Sequence, residues 1–137
     1  MAFDPTRDYP LGTQRPDLVS TPGGIPLGEV TLEAVRAGTL GADEIRATPE
    51  TLRLQAEVAR ATGRTQLAES LDRAAELATV PDGLLLEVYT ALRPRRATAA
   101  ELEEWASRLE SHGAAETAEF VREAAAAYAD RGLLADG

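Results

Sequence analysis

Few side chains in this chain have the type and spacing for chemistry. The only histidine is His112, beside Gly113 at the end of a helical pattern, where an imidazolium would favour the negative end of the helix dipole. One histidine cannot supply the two-His ligand pairs of common metal motifs. There is no Cys to act as a thiolate ligand, nucleophile or disulfide partner. Glu101, Glu103 and Glu104 form an acidic run, but successive residues of a helix point in different directions, so the run reads as a solvated face. Gly23 and Gly24 follow no strand and lack the further spacing of a phosphate loop; they read as a turn. Arg93, Arg95 and Arg96 flank Pro94 just past a helical pattern. They either satisfy the last carbonyls of that helix, the reading the dipole favours, or pair with an acidic partner. Trp105 sits at core spacing. No nucleophile with a base, no concave carboxylate pair and no metal cluster emerges, so no catalytic, cofactor-binding or metal residue is expected.

The elements that would position these side chains are helices. Thr48–Ala61 carries the strongest start signal: Thr48 can cap free amides, Pro49 suits the first helical position and Glu50 complements the dipole. Leu52, Ala56 and Ala59 share one face while Leu54, Val58 and Ala61 line an adjacent one, a width that predicts contacts on two sides. Gly63 stops this helix, and the next opens at Thr65 with Leu67, Leu71, Ala74, Ala75 and Ala78 as its stripe, giving an antiparallel hairpin. Pro81 begins a shorter helix through Leu84, Leu85, Val88 and Leu92, with Tyr89 beside the core face, and Pro94 ends it. Thr98 and Glu101 form a capping box for a helix whose inward positions are Leu102, Trp105, Ala106 and Leu109. After Gly113, the last helix, about Ala115–Arg131, presents Phe120, Val121, Ala124, Ala125 and Tyr128. No period-two strand of useful length is present.

The first 47 residues read differently. Asp8–Gly28 contains four Pro and four Gly, spacing through which regular structure should hardly persist. Tyr9, Leu11, Leu18, Val19, Ile25 and Leu27 are interleaved, so the segment is expected to lie on a surface, either its own body or a partner. Thr31 can cap a short helix over Leu32–Ala37 ended by Gly38, and a helical turn is expected over Ala42–Arg46. The chain therefore reads as all-α: an extended Pro/Gly-rich N-terminal arm with short helical turns over residues 1–47, then a helical body of about five main helices in hairpins over 48–137.

The composition of the 137 residues narrows the function classes. Aromatics make up 4%, so the core must rest on Leu, Val and Ala. The net charge is −9, with no Lys, and all 14 basic residues are Arg, which disfavours nucleic-acid binding. Residues 98–137 carry nine acids and three Arg, while 48–97 carry seven of each. Arg without excess charge suits protein interfaces; solvated intrahelical pairs such as Glu57 with Arg53 or Arg60 are the alternative. No segment approaches the roughly 20 apolar residues of a membrane span, and the N-terminus lacks the apolar run of a signal peptide. A cytoplasmic location, with no membrane partner, is expected.

DYPL at Asp8–Leu11, TPETLRLQA at Thr48–Ala56, RAAEL at Arg73–Leu77, VPD at Val80–Asp82, LEVYTALRP at Leu86–Pro94 and FVREAA at Phe120–Ala125 together resemble the small (gamma) subunit of adenosylcobalamin-dependent diol and glycerol dehydratases. The likeness runs from about Asp8 to Leu134 in the family's order. It implies a mostly helical subunit without catalytic residues, inactive alone, that packs on the large subunit in a dimer of heterotrimers with large and medium subunits. The large subunit holds the substrate and, with the medium one, the cobalamin. The reaction implied is dehydration of a 1,2-diol, propane-1,2-diol or glycerol, to an aldehyde through an adenosyl radical. The interface expected on this chain comprises Tyr9, Leu11, Leu52, Arg53, Leu54 and Arg93. Some family members carry a longer N-terminal extension associated with bacterial microcompartments; here only MAFDPTR precedes DYPL. The competing reading is an independent helical adaptor with no enzymatic role.

Overall fold

A computed structural model describes residues 2–137. Seven α-helices are present among them: α1 Leu11–Gln14, α2 Leu32–Arg36, α3 Pro49–Ala61, α4 Thr65–Leu77, α5 Asp82–Ala91, α6 Ala99–Ser111 and α7 Ala115–Arg131. The all-α expectation holds, with α3–α7 as the five main helices and no strand among the described residues. Contacts divide the chain into two compact units, Met1–Ala78 and Thr79–Gly137. The arm and the α3–α4 hairpin thus share one unit, whereas composition alone changes at 47/48.

In the first unit, α3 and α4 pack as the expected hairpin. The Thr48 side chain accepts the Thr51 amide at 3.2 Å, and Gly63 adopts φ +75° to turn the chain. Such a conformation costs a side chain with a Cβ and suits glycine. The hairpin core is small: Ala56, Ala59 and Ala68, with Leu71 half-buried beside them. Arg60 on α3 is ion-paired with Asp72 on α4.

The arm is more ordered than its Pro and Gly content predicts. Short turns over Pro16–Leu18, Leu27–Glu29 and Ala42–Glu44 supplement α1 and α2. Regular structure survives because each piece is only about one turn long, short enough to fit between the Pro and Gly residues that would break a longer helix. Thr31 caps α2 by accepting the Ala34 amide, and Gly38 ends it at φ +74°, both as expected. The Gly23–Gly24 turn is closed by the buried Thr21: its carbonyl accepts Gly24 N–H at 2.9 Å and its hydroxyl accepts Ile25 N–H at 3.0 Å.

The second unit is built on the α6–α7 hairpin with α5 beside α6. Both arms of the Thr98–Glu101 capping box are formed, at 3.2 and 2.8 Å. Gly113 turns the hairpin at φ +79°. Leu102, Leu109 and Val121 are the largest fully buried side chains. The two hairpins are repeats in one register: Thr48, Leu52, Ala56, Gly63 and Ala68 recur fifty residues later as Thr98, Leu102, Ala106, Gly113 and Ala118. The ion pair recurs with its signs exchanged, because Glu110 and Arg122 occupy the places of Arg60 and Asp72.

Candidate partner-binding surface

The exposed ends of the arm are positioned by a buried carboxylate. Asp8 accepts the Asp4 amide at 2.9 Å and Arg7 Nε at 2.7 Å, and lies 3.2 Å from Arg15 Nη1. The Arg7 guanidinium first, then the backbone bond and Arg15, hold its carboxyl well below the usual range. Arg15 is shared with Asp17. This knot precedes a cis Tyr9–Pro10 bond. Leu11 is buried, whereas Tyr9 is 55% exposed. Tyr9, Pro5 and Thr6 form one wall of a groove of about 400 Å³, and Val58, Leu67 and Leu71 of α3–α4 form the other. The arm therefore lies on its own unit's hairpin, and Tyr9 still faces outward.

On α3, Leu52 and Leu54 are half-buried and Arg53 is exposed. The two-sided apolar width thus resolves into a buried side, Ala56, Val58 and Ala59, and a partly uncovered one. Of the expected interface residues, Tyr9 and Arg53 are exposed on this unit, Leu52 and Leu54 are half-covered, and Leu11 is buried.

Arg93, the remaining expected interface residue, lies in the second unit. Here α5 is apolar nearly all round. Leu84 and Val88 are buried, but Leu86 is 66% and Tyr89 63% exposed. Tyr89 is therefore not beside the core. Spacing of three and four residues places Leu86, Tyr89, Thr90 and Arg93 on one outward face. Arg93, Arg95 and Arg96 cap nothing: they are exposed, and among the described residues their guanidinium groups make no hydrogen bond or ion pair. Their loop is nonetheless fixed. Arg95 donates its amide to Leu133 O at 2.7 Å, Ala135 donates to Ala97 O at 2.9 Å, and the Tyr128 hydroxyl donates to Leu92 O at 2.6 Å. These bonds hold Arg95 at φ +62°, a left-handed conformation unusual for a residue other than Gly. A groove of about 440 Å³ runs from Leu86 and Thr90 past Arg96 to the half-buried Trp105, with Glu87 and Glu101 also lining it, and Arg108 stacks over the Trp105 ring at 4.5 Å.

Elsewhere in this unit the best-bonded charges lie between α6 and α7. Arg122 bridges Glu110 at 2.6 Å and Glu103 at 2.8 Å. Its hydrogen bonds lower both carboxyls, and the two carboxylates, Glu110 first, raise the guanidinium. Phe120, expected inward, is 47% exposed. His112 is exposed at the end of α6. Among the described residues, no three His, Asp or Glu side chains converge as a cation site requires, and no helix is long and apolar enough to cross a membrane. What the geometry offers is surface: apolar and aromatic side chains next to unpaired Arg.

Known proteins match this chain along nearly its whole length. The family described as dehydratase small subunit matches residues 5–135. The propanediol dehydratase small subunit of Citrobacter freundii is 50% identical over 128 residues, which cover 93% of this chain and 74% of the relative. That of Salmonella typhimurium is 48% identical over the same shares.

Proposed function

The chain belongs to the dehydratase small-subunit family, and from that premise we propose that it is the small, non-catalytic subunit of a diol dehydratase that converts a 1,2-diol, propane-1,2-diol or glycerol, to an aldehyde and water. The observation that carries the reading is a match at half identity along 93% of the chain to a propanediol dehydratase small subunit. Chance likeness or a shared fold alone does not sustain identity of that extent in one register.

Its role in this reading is to pack on the large subunit, in a cytoplasmic dimer of heterotrimers with large and medium subunits. Tyr9, Arg53 and Arg93 meet the partner directly, Leu52 and Leu54 complete their burial against it, and Leu11 acts from beneath by holding the arm. Adenosylcobalamin, which supplies radical chemistry when bound, belongs with the larger subunits. A corrinoid does not fit this chain's own residues: its only imidazole, His112, is exposed and lines neither groove described above.

The test is co-expression with the large and medium subunits. A complex containing all three chains, with cobalamin-dependent aldehyde production, is expected; assembly and activity unchanged when this chain is omitted would overturn the reading. Leu54→Asp should block assembly while the isolated chain still folds, because complex formation would strip water from a half-covered carboxylate with no partner.

A further inference from the structure

We propose that the outward face of α5 is the primary docking site for the large dehydratase subunit, and that it receives an acidic surface bearing an apolar anchor. The face comprises Leu86 and Tyr89, the Arg93–Arg96 loop, and the groove leading to Trp105. The inference rests on the subunit reading above and names the part of this chain that carries it.

Three observations converge on this face. Leu86 and Tyr89 are the two most exposed large hydrophobics among the described residues, and they are neighbours on one helix. A surface of Tyr, Trp and Arg has the composition from which binding energy is drawn at protein interfaces. The three Arg beside it are left without an ion-pair partner among the described residues, although their unit carries eleven acids against six Arg. Where acids are in excess, a cluster that pairs with none of them is available for carboxylates from outside. Finally, the loop is already held by Leu133, Ala135 and Tyr128, so little conformational freedom is lost when it binds.

Charge also selects the occupant. A second copy docking face to face through a twofold axis would set Arg93, Arg95 and Arg96 against themselves, a repulsive arrangement. A different chain with carboxylates opposite the loop meets no such barrier.

The experiment is copurification of co-expressed dehydratase on a tagged large subunit. Leu86→Asp and, separately, Arg93→Glu with Arg96→Glu are compared with Leu32→Asp, which alters an equally exposed apolar residue of α2. Circular dichroism of each isolated chain confirms folding, which these exposed positions should leave intact. Both α5 variants should be retained at least tenfold less than wild type, the Arg variant should lose the salt sensitivity of binding, and Leu32→Asp should be retained as wild type. Wild-type retention of both α5 variants overturns the docking site while leaving the subunit reading in place. Failure of the unmodified chain to be retained overturns both. A self-associated chain that Arg93→Glu dissociates would make a second copy the occupant and overturn the proposal.

Discussion

The two helical hairpins share one plan and differ in how completely they bury themselves. Each begins at a capping Thr, turns at a left-handed Gly and is clasped by an ion pair between its helices. In α6–α7 the inward places hold Leu102, Leu109 and Val121, all fully buried. In α3–α4 the same places hold Leu52, Ala59 and Leu71, of which only the Ala is buried. The second hairpin has a finished interior. The first pairs small residues closely and leaves its larger aliphatics at the rim, where another surface can cover them. Repetition of a fold element therefore does not imply repetition of its role.

The matched residues Leu102 and Leu52 provide the sharpest test of that difference. Leu102→Ala should destabilise the isolated chain by about 3 kcal/mol through a closed cavity, and Leu52→Ala by about 1 kcal/mol, since its surroundings can relax or admit water. Thermal or urea denaturation reads both, and equal losses would break the comparison. In the assembled enzyme the Leu52→Ala deficit should grow.

The caps should separate next. Thr48→Ala removes a buried hydroxyl that caps the Thr51 amide and donates to the Thr51 hydroxyl, and should cost about 1.5 kcal/mol, whereas Thr98→Ala leaves the Glu101 arm of its box in place and should cost about 1 kcal/mol. Denaturation midpoints of the two variants give the order.

The smallest effect is expected from pH. Glu103 and Glu110 titrate below their ordinary value of 4.5 when folded because Arg122 favours their charged forms. Their contribution is present above about pH 4.5 and lost as pH falls toward the folded values. Trp105, the only Trp, reports on this unit. Its fluorescence-monitored melting temperature should fall between pH 6 and 3, and less so in Arg122→Gln. Asp8 follows the same sign in the arm from its lower ordinary value of 3.8, so proteolysis near Tyr9 should quicken only below about pH 4.

Local rules made much of this legible in the sequence. Thr48, Thr98 and Glu101 as caps, and Gly38, Gly63 and Gly113 as stops, are settled by backbone chemistry within a few residues. Faces were harder. Periodicity identifies the buried side of a helix only when the other side is polar, and α5 carries Leu84, Leu85, Leu86, Val88 and Tyr89 on both. The outward Leu86–Tyr89–Arg93 face is therefore hidden, and the spacing sets Tyr89 beside the core face instead of on the exposed one. Phe120 failed for the same reason on an Ala-rich helix. The folded arm depends on Asp8 meeting Arg7 and Arg15, and on Thr21 closing its turn; short spacing permits such contacts without requiring them. The fifty-residue repeat goes unread in the sequence because only scattered Thr, Leu, Ala and Gly recur, while Arg60 answers to Glu110 and Asp72 to Arg122.

That exchange of signs bears on how the chain finds its partners while folding. Two hairpins of equal length and register invite a crossed product, with α3 lying against α7 and α6 against α4. In the crossed product Arg60 would face Arg122 and Glu110 would face Asp72, so both clasps would repel, while each correct pairing attracts. Inverting one clasp, Arg60→Asp with Asp72→Arg, keeps opposite charges within the native hairpin and makes the crossed pairs attractive too. We predict that this double variant refolds in lower yield than wild type at similar native stability; refolding at wild-type yield would show that the signs are incidental. Polarity here acts as an address, telling apart two otherwise interchangeable helices.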